Sequence, residues 1–153
     1  EVHLICVHFG LIKRSRVRQA GFLIDFVQQE IPAQAPLIIA GDFNDWQQRV
    51  DELLRDRLDL REVAIDGRSS GAPQGAAGPA GRTARAIDWL LPWRNGRTAA
   101  PAVARTFPSF APWLTLDRIY VRGFRVLDVH VPRGLTWARR SDHAPLIAEL
   151  EFA

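Results

Sequence analysis

Methionine is absent from this 153-residue chain, cysteine and lysine each occur once, and no apolar run is long. Each scarcity excludes something. Cys6 alone can neither close an internal disulfide nor build a cysteine-rich zinc site. It sits in an apolar strand-like run, so a buried thiol is expected. No stretch approaches the roughly 20 apolar residues that a membrane-spanning helix needs. The start does not read as a signal peptide. With little use of cysteine, the cytoplasm is the expected compartment. The missing methionine, and an opening inside a strand-like pattern, predict a piece of a longer or processed product.

Lys13 is the only lysine, so the formal net charge of +3 rests on arginine. Arginine suits bidentate phosphate binding. A charge of this size does not by itself imply nucleic acid. Hydrophobic residues make up 47%, a globular value. The length suits one domain with a real core.

The pattern along the chain is mixed. Val2–Phe9 is rich in Val, Ile and Leu and predicts a strand. Ser15–Glu30 places Val17, Ala20, Ile24, Val27 and Ile31 at helical spacing. Pro32 and Pro36 end that helix, and Leu37–Ala40 predicts a buried strand. A second helix is expected over Val50–Leu58. Residues 66–81 are Gly-, Pro- and Ala-rich and read as a mobile loop. A short helix over Ala84–Leu91 and an irregular stretch from Pro92 to Pro112 follow. Strands are predicted over Thr115–Val121, Phe124–Val131 and Pro145–Phe152, with a tight turn at Gly123 joining the first two. This order predicts an α/β (α+β) domain with one sheet and helices on one face.

Chemistry concentrates in three places. Gly41-Asp42-Phe43-Asn44 follows directly on the buried strand. A spacing of two sets Asp42 and Asn44 on one side of an extended chain, and Gly41 permits a sharp bend. A carboxylate can take a proton from water or hold a metal ion. A neutral amide can donate to a phosphate oxygen without adding negative charge. An Asx pair capping the next helix is the structural alternative. Asp142 and His143 precede the last strand, and Asp117 lies on another. Asp117 could orient His143 and support its charged form. A salt bridge from Asp117 to Arg118 or Arg140 is the competing expectation. His8 closes the first strand; His3 and His130 are read as structural. Together these groups suit hydrolysis at a phosphate ester.

Gly41-Asp42-Phe43-Asn44, Leu116-Asp117-Arg118-Ile119 and Ser141-Asp142-His143, in this order and spacing, resemble the endonuclease/exonuclease/phosphatase superfamily. The likeness covers nearly the whole chain but only the C-terminal half of the family domain. It implies half of a four-layer α/β/β/α sandwich with a mostly antiparallel sheet. It further implies a phosphodiesterase that uses Mg²⁺ or Mn²⁺. On that likeness Asp42 prepares the attacking water, Asn44 contacts the scissile phosphate, and Asp117 orients His143. Asp142 helps Asp42 hold the metal, and His8 contacts phosphate. Val7-His8-Phe9-Gly10, Gly41-Asp42-Phe43-Asn44-Asp45-Trp46 and Arg105-Thr106-Phe107-Pro108 resemble small bacterial members of unassigned substrate, some encoded beside a cardiolipin synthase. The family's principal metal-binding Glu, and an Asn near the domain start, have no counterpart in this sequence.

Trp46, Trp113 and Trp137 fall near the motif loops and are expected to form an apolar rim. Trp46, Trp137 and Arg140 are the expected substrate contacts besides Asn44. A phospholipid, met at a membrane surface, and a nucleic acid, met through Arg14, Arg16, Arg18, Arg139 and Arg140, are the rival substrates. The inner face of the half-sandwich is expected to be covered by a second copy or by a missing N-terminal half. The alternative to an enzyme is a catalytically incomplete fragment or an interaction module.

Overall fold

The computed structural model describes residues 1–63 and 104–153. The expected loop at 66–81 and helix at 84–91 lie outside the described residues. Six strands and three helices are described: β1 (His3–His8), α1 (Lys13–Glu30), β2 (Leu37–Asp42), α2 (Arg49–Leu58), β3 (Arg61–Glu62), β4 (Asp117–Arg122), β5 (Phe124–His130), α3 (Leu135–Ala138) and β6 (Ile147–Phe152). The fold is mixed α+β, as the sequence pattern predicts.

Four strands form one sheet in the order β1-β2-β4-β3. β1 and β2 run parallel, while β2–β4 and β3–β4 are antiparallel. Strand alternation sorts the side chains onto two faces. Leu37, Ile39 and Tyr120 meet Ala20, Ile24 and Val27 of α1 and Val50, Leu54 and Leu58 of α2. Those helix positions recur every three or four residues, which is why each helix buries a single stripe. Ile38, Ile119 and Val121 point the other way.

That second face departs from expectation. β5 and β6 do not extend the sheet; they pair with each other as a separate antiparallel sheet. Gly123, at φ 78°, turns the chain out of one sheet and into the other. Val126, Val129, Ala148 and Leu150 of this hairpin pack on Val63 and Val121. The hairpin therefore covers part of the face opposite the helices. It leaves β1 uncovered: Leu4, Cys6 and His8 are exposed on that strand. The expected burial of Cys6 is thus corrected, because β1 lies at the edge and nothing described packs on its second face.

Candidate active site

Strand register builds the site. His8 lies opposite Asp42 in the β1–β2 pair, and Asp42 lies opposite Asp117 in the β2–β4 pair. Three neighbouring strands thus end in one row of titratable groups. His143 completes the row from the loop before β6, with Nδ1 2.7 Å from Asp117 Oδ2. At the other end, His8 Nε2 stands 3.6 Å from Asp42 Oδ2. The competing salt bridges from Asp117 to arginine do not form: its partner is His143.

Gly41 makes the row possible. Its φ is 144°, and a Cβ there would lie 1.9 Å from the Val7 carbonyl oxygen. Only glycine lets β1 and β2 approach this closely at the bend. Asn44 then adopts φ 49°, a left-handed conformation that Asn tolerates better than most residues. Its backbone N–H donates to Asp42 Oδ1 at 2.8 Å. Its side-chain amide donates to the Phe9 carbonyl at 2.8 Å and to Asp42 Oδ2 at 3.2 Å. Asn44 is buried and braces Asp42 as it stands.

The charges respond to one another. Burial pushes the Asp42 carboxyl above its ordinary value, and the Asp117 charge adds to this; the Asn44 N–H opposes it. Burial alone would lower the His143 pKa. The hydrogen bond to Asp117, with the charges of Asp117, Asp42 and Asp142, outweighs that and raises it. The row therefore favours a cationic imidazole beside a carboxylate that ionises reluctantly.

Two clefts open on either side of this row. One, of about 650 Å³, is lined by His8, Leu11, Asp42, Asn44, Trp46 and Asp142 among others. The other, of about 430 Å³, is lined by Trp137 and Arg140, and reaches Asp117 and His143 from behind. Trp46 and Trp137 thus flank the site in separate clefts, and Trp113 lines neither of these two. Arg140 stacks over Trp137, 5.8 Å from the ring centroid. Arg16, expected among the phosphate-binding arginines, is buried instead. Its guanidinium donates to the Gly10 and Leu11 carbonyls and lies 4.9 Å from the Trp46 ring centroid.

Several positioning groups escape motif reading. Arg118 is buried and donates twice to Glu62, at 2.9 and 3.0 Å, and to the Asp45 carbonyl at 3.1 Å. It ties β4 to the loop that carries Asp42 and Asn44. Thr106 is fully buried; its carbonyl accepts from Ala144 N–H at 2.7 Å, beside His143. Ser109 Oγ donates to the Ser141 carbonyl at 2.6 Å. The Arg105-Thr106-Phe107-Pro108 likeness was the sequence signal for this segment. Arg118 stands in the Leu116-Asp117-Arg118-Ile119 motif, but its pairing with Glu62 was not legible, because that partner lies 56 residues away. His130, read as structural, pairs with Asp128 at 3.0 Å, away from the site.

Residues 3–143 match the model of the Endonuclease/Exonuclease/phosphatase family. The chain belongs to that family. Its members are generally hydrolases of phosphate esters, and they commonly use divalent metals. The uncharacterized protein YbhP of Escherichia coli K12 is 34% identical over 154 residues, which cover 99% of this chain and 47% of YbhP. The chain thus spans about half the length of the curated relatives it matches. A mannosyl-6-phosphatase from Bacteroides thetaiotaomicron shares the fold, with TM-score 0.59, 19% identity, and coverage of 97% of this chain and 51% of that one. Danio rerio TDP2, solved with a single-strand DNA product, does so with TM-score 0.52, 17% identity, and coverage of 97% and 55%.

Oxygen donors such as Asp42 and Asp142 have the chemistry that Mg²⁺ and Mn²⁺ prefer. Among the described residues, however, no group of three or more His, Cys, Asp or Glu side chains is arranged to hold an ion.

Proposed function

We propose that this chain supplies the hydrolytic half of a phosphodiesterase that acts by in-line attack of water. The observation that carries this reading is the row His8–Asp42–Asp117–His143 across three adjacent strand ends. In it, Asp42 takes the proton of the attacking water, for which a raised pKa is an asset. His143, whose charged form Asp117 favours, stabilises charge growing on the phosphoryl oxygens. His8 stands in the cleft near Asp42, where it can assist at phosphate or leaving group. Asn44 holds Asp42 in place, and reaching a phosphate oxygen would exchange one of its present bonds.

The substrate class we infer is a phosphodiester, in a nucleic acid or a phospholipid, with Trp46, Trp137 and Arg140 as flanking contacts. Dependence on Mg²⁺ or Mn²⁺, with Asp42 and Asp142 as ligands, belongs to the proposal, as does work in the cytoplasm or at a membrane face. No described helix is long and apolar enough to cross a membrane. Two observations favour a second reading. Among the described residues no group of three or more metal-ligating side chains gathers, and the chain spans about half the length of its relatives; on this reading the chain alone is a catalytically incomplete module. A partner segment or a second copy would then complete it.

Hydrolysis of bis(p-nitrophenyl) phosphate with Mg²⁺ or Mn²⁺ tests both readings. The chain and the full-length gene product are assayed together, each with an Asp42→Ala control. We expect activity in the full-length product, lost on chelation and reduced at least about 100-fold by Asp42→Ala. Equal turnover in the control would overturn the role of Asp42. Activity of the chain alone would overturn the incomplete-module reading.

A further inference from the structure

Helix α1 starts badly for a helix in water. Its first turn carries Lys13, Arg14 and Arg16 but no acidic residue. Its N-cap is Ile12, with no side-chain cap. Cations at a helix N-terminus oppose the macrodipole. α2 shows the favourable arrangement, with Asp51 and Glu52 in its first turn and Arg55 and Arg57 in its last. Beside the cations of α1, Leu11 is 72% exposed, Ile12 74% and Phe22 66%. Arg14, Arg18 and Phe22 follow one another at four-residue spacing, so they share the outer side of α1. The opposite side, through Ala20, Ile24 and Val27, is buried on the sheet. This surface therefore points away from the uncovered face of β1.

We propose that Leu11, Ile12, Lys13, Arg14, Arg18 and Phe22 form a docking surface for an anionic lipid bilayer. Cationic side chains beside bare aliphatic and aromatic ones fit the boundary between acidic headgroups and acyl chains. A nucleic acid would satisfy the cations but would give Leu11 and Ile12 no apolar environment. Arg16 turns inward from the same turn and holds the Gly10 and Leu11 carbonyls, which fixes where Leu11 stands. Leu11 also lines the cleft that contains His8, Asp42 and Trp46. Docking through Leu11 would thus set one wall of that cleft against the headgroups. This last step rests on the proposed phosphoesterase reading, whereas docking itself does not.

Flotation with phosphatidylcholine vesicles, with and without phosphatidylglycerol, tests the proposal and needs no turnover. The chain and the full-length product are each used, with thermal unfolding to show that the variants stay folded. We expect binding only with phosphatidylglycerol present. Lys13→Glu/Arg14→Glu/Arg18→Glu should weaken it by about 100-fold or more. Leu11→Ser/Ile12→Ser, which keeps every charge, should weaken it by about tenfold. Absence of binding to either vesicle overturns the proposal. So does tight, salt-sensitive binding of a single-stranded oligonucleotide with vesicle binding indifferent to the Leu11/Ile12 change. Self-association abolished by that same change would assign the surface to a second copy and likewise overturn it. Vesicle binding without phosphodiester hydrolysis supports docking and counts only against the proposed activity.

Discussion

Gly41 and His143 set what single residues can do here. At Gly41 the backbone angle and the Val7 carbonyl leave no room for any side chain. His143 carries a pH signature. Its folded pKa lies above the ordinary 6.5, because Asp117 and its neighbours favour the cation. The stability it contributes is therefore complete below the unfolded value and lost as pH rises through the raised folded value. We expect the Tm contribution of the Asp117–His143 pair to fall as pH rises above the ordinary histidine value of 6.5. Scanning calorimetry of the chain against Asp117→Asn checks this: the difference between the two should shrink as pH rises. A constant difference would show that Asp117 does not favour the charged form of His143. The residues of this pair were legible in sequence because Asp-His next to a strand has few structural uses when a second Asp sits on another strand. The brace role of Asn44 was not legible, since it depends on the Phe9 carbonyl, 35 residues away.

Elements are held in register by a buried polar network between them. Arg118 on β4 pairs with Glu62 on β3 and donates to the Asp45 carbonyl before α2. Tyr120, also on β4, donates to Asp51 on α2 at 3.0 Å. Burial pushes the Glu62 carboxyl up, and the Arg118 charge works against this. Removing the arginine alone would strand a buried carboxylate. Arg118→Met should therefore cost about 3–5 kcal/mol in urea unfolding, and Arg118→Met/Glu62→Leu should recover most of it. A double variant as unstable as the single one would mean that the Asp45 carbonyl, not Glu62, is the partner that matters. Secondary structure was readable at this scale because α1 and α2 each repeat their apolar residues every three or four positions. The β3 strand was not, since two residues carry no period. Its existence depends on Arg61 and Glu62 finding Val121 and Tyr120.

At the scale of the whole molecule, one layer is unequal to the other. Among the described residues, helices pack on one face of the four-stranded sheet, while the two-stranded β5–β6 sheet covers only part of the second. Sequence periodicity gives the inward and outward residues of each strand but not which sheet a strand joins. That choice is made at Gly123, where a tight turn and a change of sheet look the same in sequence. The same limit misplaced Cys6, whose apolar neighbours suggest burial on any strand that is not an edge. Its exposure has a practical consequence. The only thiol of the chain stands on the bare side of β1, two residues before His8. It is a built-in reporter of assembly: a maleimide should alkylate Cys6 readily in the isolated chain and slowly in any form whose second layer is complete. Equal alkylation rates in the chain and in the full-length product would mean that this side of β1 stays open to solvent in both. With one cysteine to react, mass spectrometry reads the answer as a single adduct.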